Sequence, residues 1–134
     1  MTIKSMASAK WALTLALVLP TAACMAAAAA AGAGAGIYLT TRGAESMVEG
    51  SIDDVSARTR SVLNEEGIVL EESNFEQGGD RREFKGKKGD LDVTVELERE
   101  GSNTTRVEVS ARENLAEWDK EYAQQLLSRI VEKS

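Results

Sequence analysis

The chain has 134 residues, a formal charge of −6 and no histidine. Charge is unevenly spread: residues 1–36 hold no acid and two bases, Lys4 and Lys10, while residues 37–134 hold 14 bases against 22 acids, a formal −8. An acidic module lacks the Lys and Arg surplus that phosphate-backbone binding uses, which argues against a nucleic-acid partner, and without histidine the commonest general base and metal ligand is gone.

The front of the chain sets the expected compartment. A short basic start is followed by an apolar run from Trp11 to Leu19, a helix-breaking Pro20 and the small residues Thr21, Ala22 and Ala23 before Cys24. Basic, apolar and small-residue parts in that order make a bacterial-type secretory signal. Ala22-Ala23-Cys24 fits the small-small-Cys half of a lipoprotein signal, in which the cysteine is acylated and becomes the new N-terminus, although Thr21 stands where Leu is usual. Two other readings fit the same residues. Trp11 to Thr41 carries no charge and at ~1.5 Å per residue is long enough to span a ~30 Å bilayer as an uncleaved anchor; simple cleavage near Ala23 would release the rest. Each reading places residues 37–134 outside the cytoplasm. Residues 1–23 are thus expected to be a signal peptide or membrane anchor, an N-terminal apolar helix, and residues 24–43 an Ala/Gly-rich spacer. Residues 44–134 are expected to be an α+β domain. A lone Cys24 cannot form an intrachain disulfide, leaving it a lipid site or an inert thiol.

Within the acidic part, Ala44 to Val48 is a weak strand candidate. Ser51 followed by Asp53 and Asp54 has the form of a helix N-cap with acids in the first turn. Ile52, Val55, Thr59, Val62 and Leu63 then share one helical face, and Gly67 supplies a left-handed cap, so a helix is expected from Ser51 to Glu66. A strand begins at Ile68 and runs into polar Glu71 to Asn74; Gln77 to Asp80 is a turn. Arg81 to Gly86 is a short strand holding Phe84, and Lys87 to Asp90 a second turn. Leu91, Val93, Val95 and Leu97 alternate with Asp92, Thr94, Glu96 and Glu98, and Thr105, Val107, Val109 and Ala111 alternate with Arg106, Glu108, Ser110 and Arg112, two strands with one wet face each. Asn114 and Glu117 form a second capping box, from which a helix is expected over Leu115 to Glu132, with Trp118, Tyr122, Leu126 and Ile130 on one face. The expectation is a two-layer α+β sandwich in the order β-α-β-β-β-β-α: an antiparallel sheet of four to five strands with both helices on its apolar face.

Chemical signals are few. The adjacent acids Asp53-Asp54, Glu65-Glu66 and Glu71-Glu72 read as solvated charge, because neighbours on an element diverge. No spacing marks an activated nucleophile with its base, a calcium loop or a phosphate loop, and transition-metal ligands are lacking, so neither a catalytic residue, a metal nor another cofactor is expected. The one basic feature is Arg81, Arg82, Lys85, Lys87 and Lys88, five bases within eight residues. They form a possible contact patch for anionic lipid or an acidic partner, or a charged strand that protects a sheet edge. Trp118 and Tyr122, one helical turn apart, read as helix–sheet packing or the lining of a ligand groove.

With the leader and this element order in view, the chain resembles a family of short uncharacterised bacterial lipoproteins, a domain-of-unknown-function family. The stretches that carry the resemblance are Gly32 to Gly36, Ser51 to Arg60, Gly86 to Val93 and Thr105 to Val109. The resemblance implies an envelope location and lipid attachment at Cys24, and carries over no catalytic residue. The expected function is that of a non-enzymatic, membrane-tethered envelope module on the periplasmic side that binds an envelope protein partner through its wet sheet face or edge strands. The rival is a lipid- or small-ligand-binding domain with a pocket between helices and sheet.

Overall fold

Six strands and two helices follow one another as β1 (Ile37–Leu39), β2 (Gly43–Glu49), α1 (Ile52–Glu65), β3 (Val69–Glu76), β4 (Arg81–Lys88), β5 (Leu91–Gly101), β6 (Thr104–Arg112) and α2 (Lys120–Glu132). The structure is a computed structural model and describes residues 36–133. The leader with its expected apolar helix, Cys24 and most of the expected spacer lie outside the described residues.

The helix signals work as their chemistry dictates. Ser51 caps α1 by accepting from the Asp54 amide at 3.2 Å. At the other end the Gly67 amide donates to Asn64 O at 3.1 Å and the Ile68 amide to Leu63 O at 2.9 Å, with Gly67 at φ 72°. This is the paired closure that a left-handed glycine permits. Arg129 of α2 and Lys133, the residue just after it, reach Glu65 and Glu66, placing positive charge beside two acids at the end of α1, where the helix dipole alone disfavours them.

All pairings are antiparallel and the strand order is β1-β2-β6-β5-β4-β3. After β2, α1 carries the chain to the far edge at β3; β3 to β6 then return as a meander until β6 lies beside β2. The even positions of β2 and the odd positions of β5 and β6 face the helices: Ala44, Val48, Val93, Val95, Leu97, Val107, Val109 and Ala111 are all nearly inaccessible. They meet Ile52, Val55, Val62 and Leu63 of α1 and Ala123, Leu126, Leu127 and Ile130 of α2 in one cluster. Full burial of such a side chain contributes about 1.5–3 kcal/mol.

Several expectations need correction. The sheet has six strands, not four to five. The added strand, β1, lies in the stretch read as spacer; its three residues pair with Ser46, Glu45 and Ala44, and a partner strand rather than its own composition makes it extended. The hairpin that follows is closed by Thr40, whose Oγ1 accepts from the Gly43 amide at 3.0 Å. Gly43 is required there, because a Cβ on it would lie 2.0 Å from the Val109 carbonyl oxygen. The strands β3 and β4 run further than their apolar residues do, because acid and base face each other across them: Glu72 opposite Lys85 and Glu76 opposite Arg81. Finally, α2 begins at Lys120 rather than Leu115. Asn114 does form local cap bonds, accepting from Ala116 and Glu117 amides at 2.9 and 3.1 Å. The chain nevertheless turns back so that Trp118 bridges to Arg112. Asp119 is the true cap, accepting from the Tyr122 amide at 2.8 Å, and Leu115 is left 90% exposed.

Candidate interaction surface

The helices cover one side of the sheet; among the described residues nothing covers the other. Alternation puts Glu45 of β2, Glu83 of β4, Glu96 of β5 and Glu108 of β6 on this open face, and register places them in a single row. Glu45 stands opposite Glu108, Glu108 opposite Glu96, and Glu96 opposite Glu83. Like charges directly opposite each other across strands destabilise a sheet.

Bases flank the row. On one side Arg106 lies near Glu98 at 3.7 Å and Glu45 at 3.9 Å and also pairs with Glu100. On the other side Lys85 reaches Glu83 at 3.1 Å, Lys87 reaches Asp92 at 3.6 Å, and Arg112 stands opposite Asp92. The glutamates therefore differ in environment. Burial, then the charges of Glu108 and Glu83, push the Glu96 carboxyl above its ordinary value, with Arg81 and Arg42 partly opposing. For Glu83 burial acts upward too, but hydrogen bonds from Lys85 and Asn74 outweigh it and hold the carboxyl below its ordinary value. The Lys85 ammonium is raised, first by its hydrogen bond to Glu83.

A concavity of about 280 Å³ opens on this face, lined by Arg42, Lys85, Glu96, Glu108, Arg112 and Trp118 among others. Trp118 gets there through the turn that delays α2: the Asp119 amide donates to Ala111 O at 2.8 Å, and the Arg112 guanidinium lies 5.6 Å from the Trp118 ring centre. Tyr122, by contrast, is half-buried on α2 against the core, under the Lys88 ammonium. Of the two aromatics expected one helical turn apart, only Tyr122 is on α2; Trp118 precedes the helix and lies on the open face.

The five bases of the expected contact patch do not form one surface. Strand alternation sends Arg81, Lys85 and Lys87 to the open face and Arg82 and Lys88 to the helix side. Arg82, only 14% exposed, pairs with Asp53 and donates to Ser56 Oγ at 2.9 Å, tying β4 to α1. Lys88 lies 3.7 Å from Glu66. Four of the five thus have carboxylate partners. The expected lipid site, Cys24, lies outside the described residues. Among the described residues no three carboxylate or thiol groups are placed to hold a metal ion, and no helix is long and apolar enough to cross a membrane.

The glutamates were readable in advance only as polar positions of alternating strands. The turn is tighter than the expected Lys87 to Asp90: Gly89-Asp90 alone connects the strands, pairing Lys88 with Leu91 and so Glu83 with Glu96, where a four-residue turn would set Glu83 opposite Thr94. Glu108 could not be placed so simply, because a bulge between Arg99 and Gly101 shifts the next register, and Glu45 arrives by a long-range pairing.

Residues 7–132 match the family described as "Protein of unknown function (DUF3568)". The chain belongs to this family. The match runs from within the charge-poor first 36 residues to the end of α2. No curated protein matches the chain.

Proposed function

We propose that this member of the family is a non-enzymatic interaction module moored to a bacterial cell envelope, with Cys24 as the lipid attachment site and residues 37–134 on the periplasmic side. The location is supported by the charge-poor leader ending in small residues and Cys24. The observation that carries the interaction role is the glutamate row. Four carboxylates stand directly opposite one another on an uncovered face, against sheet stability, and departures of this kind are expected at functional surfaces. Under α2 and over the central strands the space is filled by side chains such as Leu97, Leu126, Leu127 and Ile130, each 2% exposed or less, and the gap between helix and sheet at α1 and β3 is an open groove; both favour recognition on the surface over an enclosed ligand.

The test is a photo-crosslinking residue placed at Thr94, in the middle of the open face, with Leu115 as the control position. In intact cells Thr94 should give one discrete protein adduct in the envelope fraction that Leu115 does not give. The same faint set of adducts from both positions would remove the interaction role of this face.

A further inference from the structure

Two helices cannot roof six strands. At ~4.8 Å between neighbours the outer strands lie ~24 Å apart, whereas two helices side by side span ~20 Å. The shortfall falls at β3. There Leu70 and Phe75 point to the helix side, opposite Gly86 and Arg82, yet stay 40% and 53% exposed. A groove of about 510 Å³ runs between the second half of α1 (Arg60, Leu63) and the start of β3 (Ile68 to Leu70). The strand β3 is also a sheet edge, so its outward backbone groups are unpaired among the described residues. Its other side is acidic: Glu72 and Glu76 point to the open face with Asn74 between them, and β3 carries no base.

We propose that β3 is a docking edge for an extended peptide segment of a partner protein in which apolar residues alternate with Lys or Arg. Such a segment adds to the sheet as a seventh strand. Over Glu72 to Glu76, past the register shift that sets Leu70 out of phase with them, its apolar side chains lie beside Ser73 and Phe75 and its basic side chains lie beside Glu72 and Glu76. Backbone hydrogen bonds supply attachment, and the match of period, face and charge supplies selectivity. A second copy of β3 fits poorly, since it would bring Glu71, Glu72 and Glu76 toward their own kind. The proposal goes beyond the reading above, because it uses a different surface and needs neither the tether nor the open face.

The experiment uses the full chain in detergent micelles and three fluorescent twelve-residue peptides: alternating Val and Lys, the same composition as paired Val-Val-Lys-Lys blocks, and alternating Val and Glu. The alternating Val/Lys peptide should bind at least about tenfold tighter than either control and slow amide exchange within residues 72–76. Replacing both Glu72→Lys and Glu76→Lys should remove that preference; the peptide comparison on the unaltered chain decides the matter even where this variant folds poorly. Equal binding of the block peptide, protection located on the open face or at β1, or no binding would overturn the proposal. So would protection of residues 72–76 without peptide, whether it grows with protein concentration (a second copy) or disappears when residues 1–35 are removed (the chain's own leader).

Discussion

Replacing Glu96→Gln should make the protein more stable at neutral pH. Glu96 has a carboxylate on each side, Glu83 and Glu108. Each directly opposed like-charge pair costs about 0.2–1 kcal/mol. Two such pairs sum to about 0.4–2 kcal/mol; the side chain is partly open to water, so screening takes the relief to the lower part of that sum, about 0.5–1 kcal/mol. For a domain of about 100 residues this is a rise in Tm of about 2–6 °C. The pH dependence follows from the raised carboxyl of Glu96. The folded state holds this proton more tightly than the unfolded chain does, so ionised Glu96 lowers stability above its folded pKa. That cost fades as pH falls and is gone below the ordinary glutamate value of 4.5. The assay is thermal unfolding of the full chain in micelles at pH 7 and pH 4, at low salt and at 1 M salt, where the Debye length falls to about 3 Å. The gain should be largest at pH 7 and low salt and shrink in both other directions. A loss of stability at pH 7, or a gain indifferent to pH and salt, would show that repulsion along the glutamate row does not lower stability.

Other outcomes follow from the packing and the ion pairs. Leu97→Ala, at a site with no exposed surface, should cost about 2–5 kcal/mol in denaturant unfolding. Gly43→Ala must push a Cβ against the Val109 carbonyl and should cost about 1–3 kcal/mol, with faster amide exchange at the β2–β6 pairing. Glu65 is held below its ordinary value, first by its hydrogen bond to Lys133. The tie between the helix ends should therefore stabilise at neutral pH and weaken as pH falls through the carboxylate range, and Glu65→Gln should flatten that part of the stability–pH curve. Cys24→Ser should abolish incorporation of labelled palmitate and leave the far-ultraviolet circular dichroism of the folded domain unchanged.

Much of the fold was written locally. Ser51 and Gly67 bound α1 as their chemistry requires, and the alternation of Leu91 to Glu98 and Thr105 to Arg112 gave both the strands and their wet face. What was not legible depended on partners. Ile37 to Leu39 is a strand only because Ala44 to Ser46 lies beside it. The second helix has two cap signals, Asn114 and Asp119, and the bridge between Trp118 and Arg112 selects the later one. The basic run from Arg81 to Lys88 is compact in sequence and divided in space, a division that period-two geometry already implies once the segment is read as a strand. The open face was visible as a set of polar positions, but its organising feature, the glutamate row, needs registers that a bulge and a long-range pairing determine.

In the proposed function, the charge-poor front end carries the acidic domain across a membrane and keeps it there through Cys24. Intact-mass and peptide mass spectrometry of the chain recovered from fractionated cells tests it most directly. The expected result is a membrane-fraction species beginning at Cys24 with an added acyl-glyceryl mass. A soluble cytosolic species with residues 1–23 intact and no lipid would contradict it.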